Sequence, residues 1–122
     1  MQEESNKLYG NLFDLIHDPG FMKVADYTIE SGIFNLRFDH TEESWLAYIL
    51  KTLHVMNEKS RLGFAFNLLT KYSDKHLMRS DLYYADPCFL FDYCKINFSK
   101  NVVLPHDYNL YDFTILVRKS SL

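Results

Sequence analysis

A chain of 122 residues forms one domain, 1–122, able to bury roughly two thirds of the surface its unfolded form exposes, so no metal or disulfide is needed to hold it. Apolar residues make up 48% and aromatics 16%, with ten Phe and nine Tyr, a composition that excludes a disordered chain. The net charge of −3 argues against a general nucleic-acid binder, which needs an excess of Lys and Arg to replace phosphate counterions.

The charge is unevenly placed. Residues 1–61 carry ten acids against six Lys and Arg, a balance of −4, and residues 62–122 carry six against seven, a balance of +1. The opening Met1-Gln2-Glu3-Glu4-Ser5 lacks the basic start and apolar run of a secretory signal. No apolar run approaches the ~20 residues of a membrane span. Cys88 and Cys94, six residues apart on one predicted helix, are too distant for a disulfide. These features predict a reduced, cytoplasmic protein with no membrane partner.

In chain order, residues 5–17 read as a helix with Leu8, Leu12, Leu15 and Ile16 on one face. Asp18-Pro19-Gly20 then stops one helix and starts another. Phe21, Val24, Ala25, Thr28 and Ile29 follow at helical spacing, and Gly32 is placed to end that second helix in a left-handed turn. Ile33 to Asp39 alternates through Phe34, Leu36 and Phe38, which suits a short strand or an apolar connection laid across the core.

The centre of the predicted core is Thr41 to Tyr72. Trp45, Ile49, Leu53 and Met56 make one helical stripe, capped by Thr41 and led by Glu42 and Glu43 in the first turn. Ser60 is placed to cap a second helix through Leu62, Ala65, Phe66, Leu69 and Tyr72. So short a connection implies antiparallel packing of the helices 41–57 and 60–72.

Ser73 to Ala85 reads as loop with a helical turn. Asp86-Pro87 repeats the cap-and-Pro device and opens a helix from about 87 to 98. The tail, Asp107 to Lys119, fits a helix through Leu110, Phe113, Thr114 and Val117, or a strand through Phe113, Ile115 and Val117. The pattern as a whole predicts a mainly α domain around the antiparallel pair. The alternative is α+β, with a small sheet from 33–38 and 112–118.

No motif for chemistry stands out. His17, His40, His54, His76 and His106 are scattered, and the H-E-x-x-H spacing is absent. His76, Cys88, Cys94 and His106 lack the tight Cys pairs of zinc sites, so no metal is expected. Cys88 falls in a first helical turn, where a thiol pKa can drop, but burial as a small apolar residue explains it as well. Gly10, Gly20, Gly32 and Gly63 are too widely separated to form a phosphate loop, and no cofactor is implied. Glu3-Glu4 and Glu42-Glu43 are explained by helix-end stabilisation.

The remaining signal is a C-terminal third dense in Tyr and Asp. Asp81, Tyr83, Tyr84, Asp86, Asp92, Asp107, Tyr108, Tyr111 and Asp112 are the candidate partner-binding residues, since Tyr offers rigid contact area and carboxylates steer a basic partner. The composition thus favours a small acidic protein-binding inhibitor with no catalytic residues. One example is an immunity protein that neutralises a nuclease toxin by covering its basic active site. The alternatives are a helical adaptor module binding a partner helix, or an enzyme with a dispersed site joining His40 or His54 to carboxylates.

Overall fold

A computed structural model describes residues 23–107 and 111–119. Its elements are β1 (Ala25–Glu30), α1 (Glu42–Lys59), β2 (Ser60–Thr70), a single 3-10 turn (Lys75–Leu77), β3 (Tyr84–Ala85), α2 (Pro87–Asn97), β4 (Asn101–Val103) and β5 (Asp112–Arg118). The predicted helix over 5–17 lies outside the described residues.

Helix α1 begins as its sequence dictates. The Thr41 hydroxyl accepts the Ser44 amide at 3.1 Å, and Glu42 and Glu43 occupy the first turn, where negative charge meets the unpaired N–H groups. Trp45, Ile49, Leu53 and Met56 are all buried along one stripe. Helix α2 starts on Asp86, whose carboxylate accepts the amides of Cys88 and Phe89 at 3.0 and 3.3 Å, with Pro87 in the first helical position. Both caps are local devices that need no tertiary partner.

The rest of the chain corrects the mainly α expectation, because a five-stranded mixed sheet organises the fold. Its order is β1-β2-β5-β4, with β3 also paired to β2. Strand β2 occupies 60–70, where the spacing suggested a helix. Phe64, Phe66, Leu68 and Thr70 alternate onto one buried face, and this period-2 set outweighs the helical one because two neighbours are available to pair with it. On one side lies β5, antiparallel, from Gly63 opposite Arg118 to Leu69 opposite Asp112. On the other lies β1, parallel, with Thr28 opposite Phe64 and Glu30 opposite Phe66.

Two further expectations are corrected by the same sheet. The helix predicted through Val24, Thr28 and Ile29 is strand β1 over 25–30, and Gly32, at φ +79°, turns the chain after a strand and not after a helix. The tail forms β5 over 112–118, with Phe113, Ile115 and Val117 buried. Its partners are β2 and β4, not 33–38. Residues 33–38 instead cross the core as a connection. Ile33 and Phe34 are buried, the Phe34 carbonyl accepts the Trp45 indole N–H at 2.8 Å, and Leu36 makes an isolated bridge to Leu82.

The unit β1–α1–β2 is therefore a parallel crossover, as parallel pairing requires. The core joins α1 and α2 to the face carrying Phe64, Phe66, Leu68, Phe113, Ile115, Val117 and Val102. Each fully buried Phe or Leu there is worth about 1.5–3 kcal/mol. Across the opposite face runs one register row, Ile29–Ala65–Leu116–Val103. Its members Ile29, Leu116 and Val103 are exposed among the described residues.

The junction between α1 and β2 has no loop. The Lys119 ammonium, arriving just after β5, donates to the carbonyls of Asn57 and Ser60, which satisfies helix-end acceptors with a positive charge. At Gly63 the sheet admits no side chain, since a Cβ would stand 2.3 Å from the Val117 carbonyl oxygen. Gly63→Ala is expected to lower unfolding free energy by about 1–3 kcal/mol. Chemical denaturation measures this, and a variant as stable as the parent would contradict the close approach of β2 and β5.

Candidate functional site

In open sheets with parallel strands, ligand-binding groups gather where those strands end. Here β1 ends at Glu30, and β2 carries Asn67, Leu69 and Thr70 past it. The run Tyr27-Thr28-Ile29 favours a strand, and the following Ser31-Gly32 turns the chain. The turn is fastened to β2 by Asn67. Its side-chain carbonyl accepts the Gly32 amide at 2.7 Å, and its side-chain NH2 donates to the Ser31 hydroxyl at 3.0 Å. Asn35 adds a third tie by accepting the Leu69 amide at 3.3 Å.

Beneath this turn sits Glu30, 6% exposed. One carboxyl oxygen, Oε1, accepts the Ile33 amide at 2.6 Å, while Oε2 is buried with no hydrogen-bond partner. No Lys or Arg among the described residues pairs with it. Burial, which disfavours the charged form, raises its pKa to about 7 against the opposing amides of Ile33 and Asn67.

Further along the same end, Thr70 and His106 meet at 3.1 Å from hydroxyl to Nε2, and the ring lies against Tyr72 and Phe113. The Nδ1 of His106 and one oxygen of Asp112 are also buried without partners. On the opposite face of the sheet, Tyr27, Ile29, Ala65, Val103 and Leu116 line an apolar groove of about 560 Å³, with Lys100 and Arg118 at its border. That groove is lined by two basic side chains but by no carboxylate or imidazole.

The Tyr- and Asp-rich residues singled out from the sequence are spread over several elements. Asp81 forms an ion pair with Arg79 at 2.6 Å. Tyr83 is buried in the core, and burial raises its pKa together with Glu42 and Asp86. The Tyr84 hydroxyl accepts the Arg79 amide. Asp86 caps α2 and pairs with Lys71 at 3.1 Å; burial acts to raise its pKa, but Lys71 and the amides of Phe89 and Cys88 hold it lower than usual. Tyr111 donates to Asp74 at 2.8 Å. Asp92 and Asp107 are exposed, Asp112 opens β5, and Tyr108 lies outside the described residues.

Neither histidine proposed for a dispersed site meets a carboxylate. His40 contacts Ser44 at 3.3 Å, and His54 contacts the Tyr93 hydroxyl at 2.7 Å. Cys88 and Cys94 are both free, and burial pushes the Cys94 thiol up to about 12. Among the described residues no cluster of three His, Cys, Asp or Glu is placed to hold a metal, and no helix is long and apolar enough to cross a membrane.

The pKa of Glu30 makes stability depend on pH. The unfolded carboxyl ionises near 4.5 and the folded one near 7, so the native state holds the proton more tightly. Stability therefore falls as pH rises from 4.5 to 7, by up to about 1.4 kcal/mol per pH unit, and stays lowered above. Glu30→Gln keeps an acceptor for Ile33 and carries no charge. Thermal melts should show the variant more stable than the parent at pH 8 and equal to it at pH 4. Identical melting at both values would contradict a buried, unpaired carboxylate.

Comparison with known proteins adds one relative. The chain is 60% identical over 99 residues, 81% of its length, to a Mycobacterium tuberculosis protein named "Putative methyltransferase Rv1506c". The chain covers 60% of that relative's length. No protein-family model and no solved structure matches it. Identity at this level to a protein bearing an enzyme's name overturns the reading of a non-catalytic immunity protein or toxin inhibitor.

Proposed function

We propose that the chain is part of a methyltransferase. The observation that carries this reading is the 60% identity to the mycobacterial protein across four fifths of the chain. The parallel β1–α1–β2 unit, with the buried Glu30 at the end of β1, is compatible with it. Two free thiols and the absence of a membrane-spanning helix among the described residues support a cytoplasmic setting.

A methyltransferase draws its methyl group from an activated donor, and S-adenosylmethionine supplies that group as a sulfonium. The described residues do not fit such a donor. Gly63 lies inside β2, Gly32 stands alone, and no glycine-rich turn opens onto a helix to cradle a nucleoside. No donor step is therefore assigned to these residues. Asn67 and the Ser31-Gly32 turn keep water from the Glu30 carboxyl, and its burial favours the protonated form. Fixed polar groups in a dry site act more strongly than the same groups in water.

The test is transfer of label from methyl-labelled S-adenosylmethionine to small molecules extracted from the source cells, catalysed by a lysate of source cells lacking this chain, with and without the purified chain added back. Incorporation that rises with the added chain and stops on boiling is the expected result. Incorporation that the added chain leaves unchanged would contradict the reading.

A further inference from the structure

We propose that the groove on the open face of the sheet binds a medium-chain carboxylate, its acyl tail lying across the strands and its head between Lys100 and Arg118. This assignment is independent of the methyl-transfer reading and of Glu30, which stands opposite Phe66 on the buried face.

The shape of the groove follows from the register. A second row, Tyr27–Gly63–Arg118–Asn101, lies beside Ile29–Ala65–Leu116–Val103, and residues two apart on a strand share a face. Gly63 and Ala65 put no more than a methyl on the central strand. The floor therefore sinks there, between the larger Tyr27 and Ile29 of β1 and Leu116 and Arg118 of β5. Tyr27 and Ile29 are 60% and 78% exposed, so their apolar surface is open to a ligand. The volume of about 560 Å³ lies within the range that small ligands fill. Crossing from β4 to β1 spans three strand gaps, roughly 14 Å, which is the reach of an extended chain of roughly ten to twelve carbons.

Charge decides the head group. Lys100 and Arg118 border the groove, and neither forms an ion pair among the described residues. The backbone that carries them is tied together. The Ser99 hydroxyl donates to the Arg118 carbonyl at 2.6 Å and accepts the Asn101 amide at 3.0 Å, while the Lys95 ammonium donates to the Lys100 carbonyl at 2.9 Å. A carboxylate suits this pair, since Arg presents a fork of N–H donors and Lys adds a point charge. A second copy of the chain does not suit it. Pairing two such faces would bury both sets of cations, and no carboxylate lines the groove to meet them. The occupant must bring the negative charge itself.

The experiment titrates the full chain with sodium decanoate by calorimetry and maps the site by amide shifts in NMR. One decanoate should bind per chain, with shifts centred on Ile29, Ala65 and Leu116. Octanoate should bind about 4- to 15-fold more weakly, at roughly two- to fourfold for each methylene lost. Decanol, which has the tail without the charge, should bind about tenfold more weakly or worse. Arg118→Gln should weaken decanoate about tenfold and leave decanol unchanged. Ala65→Phe, which fills the floor, should abolish binding of both; should that variant fail to fold, the comparison at the exposed Arg118 decides alone. Equal affinity for decanoate and decanol, an Arg118→Gln variant that binds as the parent does, shifts confined to another part of the chain, or no saturable binding of decanoate overturns the assignment. A dimer in sedimentation that shuts decanoate out also overturns it and gives the face to a second copy.

Discussion

The pairing of β2 with both of its neighbours is the constraint on which the rest of the structure depends. Its seven-residue register with β5 brings Phe64, Phe66 and Leu68 alongside Val117, Ile115 and Phe113 on one buried face. The parallel register with β1 forces a crossover, and α1 supplies it. Without β5 the same sequence offers a plausible helical face, because nothing local rewards alternation. Lys119 closes the arrangement by binding the carbonyls where α1 passes into β2.

That dependence explains what could be read from the residues alone. The caps at Thr41 and Asp86-Pro87 were legible because a side chain and an amide two or three residues away suffice to make them. Strand β2 was not, since Leu62, Ala65, Phe66, Leu69 and Tyr72 satisfy helical spacing while Phe64, Phe66 and Leu68 satisfy a strand. The choice between them is made by a partner some fifty residues away. Gly63 was the available hint, because a glycine inside an apolar run weakens a helix and often marks close backbone approach. The tail left both readings open for the same reason.

The site was less legible than the fold. Glu30 lay within what read as a helix, where a carboxylate next to Ser31 and Gly32 looks like an ordinary end. Its significance depends on burial and on the tie from Asn67, neither of which spacing reveals. A sequence signal for the strand did exist: Tyr27-Thr28-Ile29 is a β-prone run, and Ser31-Gly32 marks the turn that ends it. The Tyr and Asp residues drew attention by number, yet caps, ion pairs and core packing account for Asp86, Asp81 and Tyr83.

Glu30 therefore joins the two halves of the account, since its place follows from the sheet and its chemistry from the burial that the sheet imposes. The most direct measurement is a carbon-13 NMR titration of the Glu30 side-chain carboxyl in the folded chain, assigned by comparison with Glu30→Gln. A midpoint near 7 is the predicted result. A midpoint near the ordinary 4.5 would mean that the carboxyl is solvated or paired, and would contradict the central claim that the sheet buries a carboxyl with no cation beside it at the end of β1.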